Sequence, residues 1–216
     1  MNTESRPSLK GLGVMVVAFA VITAAGLGSY IATSTSQPSV TTIQQGGTAY
    51  RLTLIEPMNT GWNATTAQPK FYVVGPGGLG SSASISLPVK TLIQVTIVSY
   101  DTPTPGSTDQ QGRVSGTVSG TVFLINGTAA SMSSMPEQWG QNVTSVPGAG
   151  LAHTFTIPQL GVNVPVVGGD TEIAYIYFTT SGTYTWLCET PCGFGPTGSE
   201  GAMSAAGWMT GSITVS

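Results

Sequence analysis

Two hydrophobic patterns divide the chain. Residues 12–31, LGVMVVAFAVITAAGLGSYI, form an apolar run with no charge in it, about as long as a helix needs to cross a bilayer core. From residue 49 onward the apolar stretches shorten. AYRLTLIE (49–56), KFYVVG (70–75), ISLPVKTLIQVTIVSYD (85–101), HTFTIPQL (153–160), VNVPVV (162–167), TEIAYIYFTT (171–180), GTYTWLC (182–188) and WMTGSITV (208–215) alternate or run apolar between Gly, Pro and Asn turns. Runs of this kind predict strands of an all-β sandwich, and nothing after residue 32 repeats with helical spacing. Alternation also puts Trp186 in the sandwich core.

The division predicts a short N-terminal segment (1–11), a transmembrane helix (12–32), a Ser/Thr-rich linker (33–48) and a β domain (49–216). Arg6 and Lys10 precede the apolar run, and no Lys or Arg follows until Arg51. The positive-inside rule then sets the N-terminus in the cytoplasm and the β domain outside a cell membrane that the chain spans once. A cleaved signal peptide has a shorter apolar stretch and a small-residue cleavage site, so an uncleaved anchor is the expectation. Residues 102–148 are polar and Gly-rich and read as an insertion, with one hairpin around 113–125. A loop of that length in a compact domain is functional, mobile or a cover for something else. Met132, Met135 and Trp139 read as its apolar anchors. Asn63-Ala-Thr, Asn126-Gly-Thr and Asn142-Val-Thr are glycosylation sequons, a weak sign of export in a Thr-rich chain.

Composition changes the picture at one point. Charged residues make up 7% of the chain, against roughly 25% in an average soluble protein. Gly, Ser, Thr, Pro and Asn replace them, while apolar content stays at 40%, too high for disorder. Such a surface suits an acid exterior, where carboxylates would be protonated. Net charge is −3 with no basic cluster, which excludes nucleic acid as the expected partner.

The chemistry concentrates in a few residues. The only two cysteines are Cys188 and Cys192, in the loop Cys188-Glu-Thr-Pro-Cys192-Gly-Phe-Gly, and the only histidine is His153, at the start of a strand. Met209 precedes the last strand. Thiolate, imidazole and thioether are soft donors and form a ligand set for copper.

The His-x-Phe strand, Gly-Thr-Tyr-Thr-Trp-Leu-Cys, Cys-x3-Cys-Gly-x-Gly and Met-x-Gly-x-Ile-x-Val together resemble the cupredoxin domain of heme–copper oxidase subunit II. The resemblance covers roughly residues 85–101 and 150–216, plus the anchor. It implies a Greek-key β-sandwich in which paired thiolates bridge two coppers (the CuA centre), completed by two histidines, a methionine and a backbone carbonyl. Carried over by position, His153 is the first histidine, Cys188 and Cys192 are the bridging pair, Thr190 gives the carbonyl and Met209 is the methionine. The second histidine would stand at residue 196, where this chain has Pro196. TGSEGAMSAAGW also lengthens the spacer before Met209. The site is therefore expected to be vestigial or incomplete: one copper on Cys, His153 and Met209 or Met203, or none. Glu189 and Glu200 would be poor substitutes in acid. Without metal, Cys188 and Cys192 can close a disulfide in an oxidising exterior or stay free. A degenerate site resembles the archaeal quinol-oxidase form, with heme confined to a partner subunit I and no catalytic residue in this chain. A sulfocyanin-like mononuclear copper carrier and a metal-free structural envelope sandwich are the other readings.

Overall fold

Strand alternation builds the architecture. The computed structural model describes residues 49–58, 60–62, 67–125 and 140–216. The expected anchor at 12–31, the linker, Asn63, Asn126, Met132, Met135 and Trp139 lie outside them. Among the described residues no helix is long and apolar enough to cross a membrane.

The strands are β1 (Tyr50–Glu56), β2 (Thr60–Gly61), β3 (Ala67–Gln68), β4 (Tyr72–Gly75), β5 (Gly78–Ser81), β6 (Ser84–Leu87) and β7 (Leu92–Ser99). Then follow β8 (Val122–Ile125), β9 (Gln141–Val143), β10 (Leu151–Ile157), β11 (Val162–Val167), β12 (Thr171–Tyr177), β13 (Gly182–Leu187) and β14 (Thr210–Val215). One sheet has the order β5-β4-β1-β7-β12-β8-β9, the other β11-β10-β13-β14-β6, and β2 pairs with β3 alone. This is the all-β two-sheet sandwich that the alternation predicts. Two neighbouring pairs run parallel, β1 with β7 and β14 with β6.

In β1, β7 and β12 every second residue is buried, as in strands with one face on a core and one toward solvent. Leu54, Ile93, Val95, Ile97 and Ile176 supply that face. Opposite them, Trp186 is fully buried, stacks on Phe155 at 5.5 Å and donates its indole N–H to Ser82 O at 3.0 Å.

The run 85–101 is two strands, not one. Pro88 has no N–H for a ladder, Lys90 takes a left-handed φ of 55°, and β6 and β7 fall in different sheets. The expected hairpin at 113–125 is also replaced. β8 is a sheet strand between β12 and β9 with Val122 in the core, while the segment 102–117 is fastened to β10 and β11, with Ser115 bridging Asn163 at the edge of β11. Asn163 Nδ2 donates to Gln111 O and Arg113 O at 2.8 and 2.7 Å. Thr104 N–H donates to Leu151 O at 2.9 Å. This cover explains why every residue of β10 is buried and why its outward positions are hydroxyls, Thr154 and Thr156, bonded to each other at 2.9 Å.

Candidate metal centre

The site forms where β10 meets the β13–β14 connection. Between Leu151 and His153 the register of β10 against β11 shifts by one residue, because Leu151 pairs with Val167 and His153 with Val166. Bulges of this type re-aim side chains beside functional sites. The His153 ring is fully buried and meets the edge of Phe71 at 5.9 Å between centroids.

The thiol loop is fastened on both sides. Cys188 N–H donates to Met209 O at 2.8 Å, Glu189 N–H to Thr154 Oγ1 at 2.8 Å and Thr190 Oγ1 to Ala152 O at 2.9 Å. These bonds set Cys188 Sγ 4.0 Å from His153 Nδ1 and 3.5 Å from Cys192 Sγ. Both cysteines are free thiols in this arrangement. Thr154 N–H points at Cys188 Sγ from 3.3 Å. Thr190 O, placed by the resemblance as a carbonyl ligand, accepts from Cys192 N–H at 2.8 Å.

The segment between Cys192 and Met209 has a structural role. Phe194 and Glu200 exchange backbone hydrogen bonds at 3.2 and 3.0 Å, closing a small hairpin that continues into a 3-10 turn, Gly201–Ser204. At Gly198 (φ +67°) a Cβ would run into Pro191 O, so only glycine lets the hairpin fold this close to the thiol loop. The turn sets Met203 Sδ 3.2 Å from Cys192 Sγ. Met209, the methionine carried over by position, is fully buried among core residues and holds the loop through its backbone. Pro196, Glu189 and Glu200 are exposed.

His153 has a second face that the sequence reading did not include. Its Nε2 lies 3.3 Å from Asp101 Oδ2 and 3.8 Å from Glu56 Oε2. Glu56 ends β1 in the inward series Leu52, Leu54, Glu56, and Ser99 does the same in β7; the two strands are in register there. Ser99 Oγ donates to Glu56 Oε2 at 3.3 Å. Glu172 begins the inward series of β12, and its Oε1 accepts Val167 N–H at 2.7 Å. The β1 alternation was the available signal for Glu56, and extending the β7 row one step past Ser99 reaches Asp101. Among the described residues, the imidazole thus belongs to two groups with donor atoms within 4.8 Å of one another, His153–Cys188–Cys192 and Glu56–Asp101–His153.

Electrostatics follow from this layout. Burial disfavours charge on His153, yet the Asp101 carboxylate and Cys188 outweigh it and raise its pKa to about 10. Burial also works against charge on Cys188, but hydrogen bonding from Cys192 and the imidazolium hold the thiol well below its ordinary value. Cys192 moves up, because it shares a proton with Cys188 and is itself buried. Burial raises Glu56 to about 7, with His153 as a partial offset. Asp101 is desolvated too, but its bond with His153 and the Thr102 N–H bring it below the usual carboxylate range. Burial lifts Glu172 well above that range.

No family model and no curated protein sequence matches the chain. Among solved structures, a heme–copper terminal oxidase dimer aligns at 16% identity over 97% of this chain and 100% of that one, TM-score 0.31. The periplasmic domain of cytochrome oxidase subunit II of Bradyrhizobium japonicum aligns at 11% identity over 76% and 83%, TM-score 0.31. Auracyanin B aligns at 15% identity over 79% and 92%, TM-score 0.32. At these values the likenesses carry no argument about function, which has to come from the site.

Proposed function

We propose that this chain is the subunit II-type component of a membrane heme–copper terminal oxidase, of the quinol-oxidase kind, with a CuA-derived site reduced to at most one copper. The observation that supports it is the convergence of His153 Nδ1, Cys188 Sγ, Cys192 Sγ and Met203 Sδ at one end of the sandwich. This donor set fits one soft copper ion. It does not fit a dinuclear centre, because two metal positions would share the single histidine. His153, Cys188, Cys192 and Met203 would hold the ion, which when bound supplies one-electron transfer. The protein's own part is to keep the ring and thiols in place and to shield the ring and Cys188 from water: Cys188 is 2% exposed and His153 not at all. On this reading the domain lies outside the membrane on the 12–31 anchor, and oxygen chemistry belongs to a heme-bearing partner.

The mononuclear donor set also favours a second reading, a free-standing copper electron carrier. Affinity capture of the full chain from mildly solubilised membranes separates them. The oxidase reading expects a co-purifying polytopic heme protein, at most one copper per chain, and loss of the β domain when protease is added to intact cells. Recovery as a heme-free monomer would reject it, and a seven-line mixed-valence copper signal after loading would overturn the one-copper, quinol-type assignment.

A further inference from the structure

We propose that Asp101 is a positioning residue for metal capture: it accepts a hydrogen bond from His153 Nε2 and thereby turns Nδ1 toward the thiols as the ligating nitrogen. The inference rests on the copper reading above and extends it to a residue outside the soft donor set.

A metal-bound imidazole keeps a proton on its other nitrogen, and the acceptor of that proton fixes which nitrogen is free. Here the acceptor is Asp101. Asp101 Oδ2 is 3.3 Å from Nε2, and an ionised carboxylate has no proton to give back. Asp101 is itself held, since its Oδ1 accepts Thr102 N–H at 2.8 Å and its own N–H reaches Ser99 Oγ at 3.4 Å. Glu56 Oε2, 3.8 Å from Nε2, backs the same side of the ring. Phe71 packs against the ring at 77° to its plane and limits its rotation. The thiols occupy the opposite side, with Cys188 Sγ 4.0 Å from Nδ1. A ring fixed in this way has one nitrogen for the carboxylates and one for the metal. If the acceptor becomes an amide, whose N–H₂ can donate to Nε2, that selection is lost.

The single histidine makes the test direct, because all ring signals come from His153. The full chain, labelled with ¹⁵N-histidine, is reduced in detergent and titrated with Cu(I), which is diamagnetic. The wild type should give one ring species with Nδ1 metal-bound and a slowly exchanging Nε2–H. Asp101→Asn should weaken Cu(I) binding about 10- to 100-fold, the usual effect of losing such a partner, and give fast Nε2–H exchange or mixed ring species. Asp101→Glu, which keeps an anionic acceptor, should recover the Nε2–H signal and part of the affinity. Wild-type affinity and unchanged Nδ1 ligation in Asp101→Asn would overturn the positioning role and leave the copper reading standing. A folded Asp101→Glu that recovers nothing would overturn it as well. If the wild type takes up no Cu(I), both fall.

Discussion

The two sides of the His153 ring are built by opposite strategies. On the Nδ1 side, one loop and the 3-10 turn after it bring Cys188, Cys192 and Met203 together, and the donors are soft. On the Nε2 side, Glu56, Ser99 and Asp101 come from or just after two neighbouring strands, β1 and β7, and the donors are hard oxygens. The loop side reaches its donors through the hairpin at Phe194–Glu200, whose two closing residues are exposed. The strand side cannot change without altering positions that continue the core rows Leu52–Leu54 and Ile93–Val95–Ile97. The soft donors are thus set by a loop, while Glu56 and Ser99 beside the imidazole are bound into the strands.

Removing the ring tests both sides at once and has the largest expected effect. His153→Ala leaves Asp101 and Glu56 without their cation, and breaking a buried pair by deleting one partner costs about 3–5 kcal/mol. Thermal melts should show a loss of that order even without metal, and Cu(I) titration should show no high-affinity site. A variant as stable as the wild type would mean that the carboxylates do not depend on the ring.

The two sides also differ in how far the sequence disclosed them. Cysteine and histidine are so scarce here that Cys188, Cys192 and His153 marked the soft side by themselves, and the alternating runs marked most strands. Between Met209 and Met203 the sequence left the thioether open, because position along the chain says nothing about the turn at Gly201–Ser204 that folds Met203 back beside Cys192. On the other side, alternation alone turns Glu56 and Glu172 inward without saying what they meet. Their burial depends on which strands lie side by side, and sheet order is not written in any one run. The same limit applies to β8, whose place beside β12 could not be read from a Gly-rich segment.

Burial raises Glu56 from 4.5 to about 7, so between those values the folded chain binds a proton that the unfolded chain does not. Its contribution is fully present below 4.5 and is lost as the pH rises through 7. Glu172, also raised, acts in the same direction. Cys188 and Asp101, both lowered, act oppositely, Asp101 only in stronger acid. Comparing variant with parent isolates one group. Glu56→Gln should match the parent near pH 4.5 and gain on it steadily toward neutrality, by at most about 3 kcal/mol. Denaturant melts across that range provide the check, and a stability difference that stays flat with pH would show that Glu56 is ionised throughout.

The smallest effect bears most directly on the soft side. Met203 and Met209 are the two methionines of the loop that leads into β14, and the structure assigns them different work. Met203 Sδ touches Cys192 Sγ at 3.2 Å, whereas Met209 is fully buried among core residues and bonds to the loop only through its backbone N–H and carbonyl. Leucine has nearly the same volume and no sulfur, so replacing either residue is a mild packing change, below about 1.5 kcal/mol, and a clean deletion of a thioether. Met203→Leu should weaken Cu(I) binding about tenfold, which is about 1.4 kcal/mol, with little change in melting temperature. Met209→Leu should leave Cu(I) affinity alone and lower the melting temperature slightly, because its side chain fills core space and its backbone bonds survive the exchange. The reverse result, affinity lost with Met209 and kept without Met203, would restore the ligand set expected from chain position. It would also mean that the hairpin at Phe194–Glu200 opens when metal enters, so that the soft side is assembled on binding while the carboxylate side stays fixed.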